Sequence, residues 1–188
     1  MAVAGWPLDT GRCHAVSVID PEWRERLVHA AVRLAQHGGL ASITAETVTA
    51  EAGLPPGAAA EHFDSVPALL LEVGARVLRL RTDTLREWLD GTGPENVVAR
   101  LAELIHHQLT EQRATSVVAY ELYALGTRHE EFRQASRVAN ARLRERLAEI
   151  LPPAEAARLA AAADGFQLQC LFEVETPTVE QIQWVLRG

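Results

Sequence analysis

Glu103-Leu-Ile-His106 sets a carboxylate and an imidazole three residues apart, on one face if the segment is helical. That spacing serves di-metal sites in helical bundles, where a second such pair and two more inward carboxylates complete the ligand set. The chain has no second copy, so no metal centre is expected. There is also no Ser-His-Asp order, phosphate-cradling glycine loop or Cys-His spacing to argue for catalysis. His129, next to Glu130 and Glu131, suits a solvated helix start. Cys13 and Cys170 stand far apart without metal-ligand spacing, as in a reduced protein with incidental thiols. Neither an enzyme nor a bound cofactor is expected.

What remains is recognition. The charge balance constrains it: 18 basic residues, all arginine, face 25 acidic ones, for a net charge of −7. Such a chain lacks the overall footprint of a nucleic-acid binder, although a local basic patch is still allowed. Nearly half of the residues are apolar, which supplies a real core, and the Ala-, Leu-, Arg- and Glu-rich composition favours helix over sheet. No apolar run approaches the roughly 20 residues that span a bilayer, so no membrane is expected. The first twenty residues lack the charged start and apolar core of a signal peptide. They suit a flexible arm, residues 1–20, ahead of the fold of a cytoplasmic protein.

Helix signals then run along the chain. Asp20-Pro21-Glu22 combines an N-cap, a first-turn proline and an acid near the positive helix end. Leu27, Ala30, Ala31, Leu34 and Ala35 follow at helical spacing, and Gly38-Gly39 ends the helix near residue 37. Thr44 caps a short second helix that stops at Gly53. Leu54-Pro55-Pro56-Gly57 turns the chain into a third, from about Pro56 to His62. Asp64 or Ser65 caps a long fourth helix, Val66 to Leu89. Five more are predicted over 95–111, 114–126, 129–150, 153–173 and 177–187. No segment carries a strand signature, so the fold class is all-α with about nine helices.

This order, three short helices followed by a long one and a helical body, resembles the TetR family of bacterial regulators. The likeness is strongest over residues 23–72. There "RLVHAAVRLAQHGGLASITAETVTAEAGL" is similar to the family's first two helices. "GAAAEHFDSVPALL" is similar to its third, with Gly57 opening it and His62-Phe63 closing it. "LAAAADGFQLQCLFE" is similar to the penultimate helix. The resemblance implies a helix-turn-helix domain over 21–66 and a ligand-binding and dimerisation domain over 67–188. It implies a homodimer that presents two third helices to an operator roughly 34 Å apart or a multiple of that.

The reading head departs from the family pattern. Where the family usually carries hydroxyls near the third helix's start, a late tyrosine and a lysine opening the fourth helix, this chain has Pro55, Ala58, Ala60 and Val66. Residues 21–67 hold three arginines against six acids, a net −3, which is unfavourable for affinity built on counterion release. Two expectations follow. In one, a few donors suffice, from Arg24, Thr44, Thr47, Thr49, helix-start amides and Arg12 or His14. Gly57, Ala58, Glu61 and His62 then lie on the DNA-facing helix. In the other, operator binding has been lost and the module serves a small molecule or a protein partner. For the body, the resemblance implies a small-molecule effector, with Trp88, His106, His107, Tyr120, Tyr123 and Phe132 as pocket candidates. Leu159, Phe166, Cys170, Leu171, Trp184 and Val185 are the expected dimer interface, joined by Leu168 and Ile182. Asp164-Gly165 interrupts that helix at about 1 kcal/mol for the glycine, which suits close approach of a partner backbone.

Overall fold

The computed structural model describes residues 20–187. The expected arm, with Arg12, Cys13 and His14, lies outside those residues. The described residues form nine α-helices and no strand. Asp20 accepts a hydrogen bond from the Glu22 amide at 2.9 Å and starts α1, Pro21–Gly38. Gly39, at φ 72°, ends it. A single 3₁₀ turn, Leu40–Ser42, leads on from there; no sequence signal announced it. Thr44 and Thr47 cap each other's backbone N–H groups in a reciprocal box, which launches α2, Ala45–Glu51.

Gly53 and Gly57 take φ values of 63° and 93°, conformations that cost other residues dearly, and they bound the turn after α2. The helix α3 is shorter than expected, Ala58–His62. Pro55 and Pro56 belong to the turn and not to the helix, because the Ala58 N–H closes onto the Pro55 carbonyl at 3.2 Å. Ser65 then caps α4, Val66–Leu89. The remainder is α5 (Val97–Thr110), α6 (Arg113–Gly126), α7 (Glu130–Ala148), α8 (Pro153–Cys170) and α9 (Val179–Arg187).

Two apolar clusters hold the helices. One joins Leu27, Ala31, Val48, Ala59 and Phe63 to Leu69 and Val77 of α4 and to Val118 and Leu122 of α6. The other surrounds Leu89, Leu101, Ile105, Leu147, Leu159 and Ile182. Packing is therefore continuous across residue 66. The helix α4 runs through both clusters, and α6 seats its apolar face in the first one, against the helix-turn-helix.

Candidate functional site

The helix-turn-helix has only three arginines, and each is already engaged inside the protein. Arg24 donates to the His62 carbonyl at 2.8 Å and to Glu72 at 3.0 Å, with its guanidinium 4.2 Å from the Phe63 ring centroid. Arg26 donates to the Ala52 carbonyl at 2.8 Å, and Arg33 pairs with Glu51 at 2.7 Å. The expectation that Arg24 is a free donor is corrected: it fastens α1 to the end of α3 and to α4.

Other expected contacts turn inward too. Thr49 is buried, and its hydroxyl accepts the Ala59 N–H at 3.2 Å, so it pins α2 to α3. Ala58 and His62 are buried as well. The His62 ring stacks on Trp23, and Nδ1 lies 2.9 Å from the Ala58 carbonyl. A five-residue helix has room for few outward positions, and packing against α1 claims these two. Ala60 and Glu61 of α3 and its N-cap Gly57 are exposed, as are Thr47 of α2 and its N-cap Thr44. The Thr47 hydroxyl donates to the Ser42 carbonyl at 2.8 Å. Glu46 sits at the α2 N-terminus, where its own backbone N–H and then Thr44 hold its carboxyl below the usual range.

The body encloses a cavity of about 60 Å³ bordered by α4, α5, α6, α7 and α8. Its floor is apolar, with Leu85, Leu101 and Ile105, and its charged residues are Arg81, Arg142 and Asp164. A hydrogen-bonded knot lies beside it. Gln167 donates to Gln108 at 2.9 Å, and Ser116 donates to the Gln108 carbonyl at 3.1 Å. Arg81 reaches Gln167 at 3.3 Å and Ser116 at 3.5 Å, both long bonds. The Tyr120 hydroxyl donates to the Asp164 carbonyl at 3.0 Å. Burial raises the pKa values of Tyr120, Tyr123 and Asp164, and Arg81 opposes the shift at each.

Of the six sequence-predicted pocket residues, Tyr123 lines this cavity and Tyr120 belongs to its knot. The other four lie away from this cavity. Trp88 stacks on His107, ring centroids 5.4 Å apart, and the Arg100 guanidinium lies over the Trp88 ring at 5.3 Å. His106 holds the α8–α9 connection through the Pro177 carbonyl at 2.9 Å, and Glu103 pairs with Arg100 at 2.6 Å. Phe132 is buried in the cluster under the helix-turn-helix. Sequence reasoning missed Arg81, Gln108, Ser116 and Gln167. They did leave a signal, since polar side chains interrupt apolar stripes at Val77–Arg81–Leu85, Leu104–Gln108 and Ala163–Gln167.

Among the interface candidates, Leu159, Cys170 and Ile182 are buried within the single chain and belong to its core. Phe166, Leu171 and Val185 are half-buried. Trp184 is 79% exposed, and in the same α8–α9 region Phe172 is 81% exposed and Leu168 38%. A Cβ at Gly165 would meet nothing within 4 Å.

Residues 92–188 match the family model described as "Tetracyclin repressor-like, C-terminal domain". The chain is 32% identical over 155 residues to the HTH-type transcriptional regulator BetI of Agrobacterium fabrum (strain C58), covering 77% of this chain and 73% of that protein. An alignment of that length exceeds the body alone, so it extends into the helix-turn-helix. Among solved structures, a TetR-family member from Streptomyces coelicolor A3 (SCO1917) superposes with a TM-score of 0.77 at 27% identity, covering 89% of this chain and 97% of that one. The multidrug binding protein EbrR, complexed with ethidium, superposes at 0.79 and 27% identity, covering 89% and 98%. None of these similarities supports the second expectation, a protein that has lost operator binding.

Proposed function

Because this chain belongs to the TetR family of transcriptional regulators, we propose that it is a ligand-responsive repressor which binds its operator as a homodimer. The family consists of regulators and not enzymes. One observation carries the reading: α4 is rooted in the helix-turn-helix through Leu69 and Glu72 and also borders the body's cavity through Arg81 and Leu85. A molecule that enters the cavity displaces the helix that sets the head's position. Binding then favours one spacing of the two heads over another and shifts operator affinity by its differential affinity for the two states. EbrR is seen with ethidium, and we assign a small-molecule effector to the corresponding end of this chain. No helix among the described residues is long and apolar enough to cross a membrane, in keeping with a cytoplasmic regulator.

On DNA, the exposed Thr44, Gly57, Ala60 and Glu61 face the duplex, with backbone amides and shape fit supplying most contacts. No arginine of the head is free, so binding depends little on salt. The slope of log affinity against log salt should be shallow, far from the slope of about −10 that a strongly charged repressor reaches. A gel-shift titration of the full chain against its own upstream DNA, at low and high salt, tests this. Sequence-dependent binding with a shallow slope is expected. Failure to distinguish that DNA from random DNA at low salt overturns the reading.

A further inference from the structure

We infer that the cavity between α4 and α8 selects a small zwitterion, its carboxylate taken by Arg81 and its amine by Asp164. The inference rests on the effector-cavity reading above and names the ligand's charge. Arg81 and Asp164 both line the same cavity, yet among the described residues they form no ion pair with each other or with any other side chain. The Asp164 carboxylate accepts no hydrogen bond among the described residues; only its backbone carbonyl is used, by Tyr120. Arg81 has five N–H donors and makes two bonds, at 3.3 and 3.5 Å. Arg142, the third charge, donates to Thr82 at 3.2 Å and is shared with an outer groove that holds Glu145 and Glu149.

Two opposite charges, both partly buried and without an ion-pair partner among the described residues, restrict what can bind. An apolar molecule would strip their remaining hydration and return no hydrogen bonds. A lone cation would suit Asp164 but face Arg81 and Arg142, and a lone anion would suit the arginines but leave Asp164 without a partner and beside a like charge. A zwitterion gives each charge a charge-assisted partner, and Tyr123 adds an aromatic face for an ammonium group. Size points the same way. About 60 Å³ is room for about four to six waters, which fits a short amino acid and excludes a multi-ring dye unless the cavity widens.

The test uses titration calorimetry on the full chain with glycine, β-alanine, γ-aminobutyrate, n-butylamine and butyrate. At least one amino acid of the series should bind, with n-butylamine and butyrate at least tenfold weaker. Arg81→Gln should reverse the order in favour of n-butylamine, and Asp164→Asn should reverse it in favour of butyrate. That crossing pattern cannot arise from misfolding, because each variant keeps one ligand. If n-butylamine or butyrate binds the wild-type chain as tightly as the best amino acid, the zwitterion inference falls, and so it does if no amino acid binds. Amino-acid binding that shows the crossing pattern but leaves operator affinity unchanged would uphold the inference and defeat the effector reading instead. Binding of n-butylamine that moves operator affinity would do the opposite.

Discussion

Arg24 makes three contacts at once, with the His62 carbonyl, the Glu72 carboxylate and the Phe63 ring. Its side chain is 35% exposed, so its charge is partly screened. Arg24→Ala should cost about 1 kcal/mol after that discount, a fall of about 2–4 °C in Tm for a chain of this length. Arg24→Lys should recover little of it, since an ammonium cannot fork between two acceptors while lying flat on a ring. Thermal melts followed by circular dichroism decide the matter, and a lysine variant as stable as wild type would show that charge alone suffices. Asp164 acts in the opposite sense. Burial raises its carboxyl above the ordinary 3.8, and Arg81 only partly counters this. The folded state therefore binds its proton more tightly than the unfolded chain does, an advantage that is complete below 3.8 and disappears as pH climbs through the raised value. Asp164→Asn should match wild-type stability at the acid end and exceed it at neutral pH. A Tm difference that stays constant across the range would contradict this, and a stabilised variant would mark Asp164 as kept for binding.

At the scale of elements, most helices could be read from the sequence because their signals are local. Asp20-Pro21, Thr44, Ser65 and Pro152-Pro153 each satisfy or forbid a backbone bond within a few residues. Tertiary choices were not legible in the same way. Periodicity assigns Trp88 and His107 to helix faces, but only the packing of α4 on α5 stacks them on each other and away from the cavity. Thr49 and His62 are donor types that suit DNA, and it is the crossing of α2, α3 and α1 that turns them inward. Both faces of α6 are in use. Ser116, Tyr120 and Tyr123 belong to the cavity and its knot, while Thr115 accepts from Gln36 at 2.9 Å and Glu121 accepts the Leu40 N–H at 2.9 Å. Gly39 leaves room for this latch, since a Cβ there would come 2.7 Å from a Glu121 oxygen. Glu121→Ala should strand the Leu40 amide at a cost of about 1 kcal/mol. Hydrogen exchange at Leu40 should then run about fivefold faster, with cavity binding unchanged and the coupling between cavity and operator reduced. Unaltered exchange at Leu40 would remove α6 from the route between the two sites.

For the whole molecule, the proposed operator binding requires that a head of net −3, its three arginines engaged, hold polyanionic DNA. One head by itself gains little from counterion release. Two heads fixed in one rigid dimer make the second contact intramolecular, at an effective concentration that reaches about the millimolar range. Operator binding by this chain should thus depend on dimerisation more steeply than in a regulator with a basic head. The dimer contact we propose centres on the exposed Trp184, which shares a groove with Phe166 and Val185, and takes in the exposed Leu168 and Phe172 of the same α8–α9 region. All three are exposed large apolar side chains, Leu168 and Trp184 on helices whose inner sides are already packed through Leu159 and Ile182, and Phe172 in the turn after α8. A two-fold axis through such a patch sets each tryptophan against its partner's apolar surface, and tryptophans in that position commonly carry about 2–4 kcal/mol. Trp184→Glu buries a charge in the contact but leaves the chain's own core alone. It should sediment as a monomer with an unchanged helical spectrum and lose operator affinity by at least a hundredfold, while cavity ligands still bind. If Trp184→Glu remains a dimer, the α8–α9 face is not the contact. If it is monomeric and still binds its operator within tenfold of wild type, a single head supplies the affinity, and cations outside residues 20–187 would have to provide it.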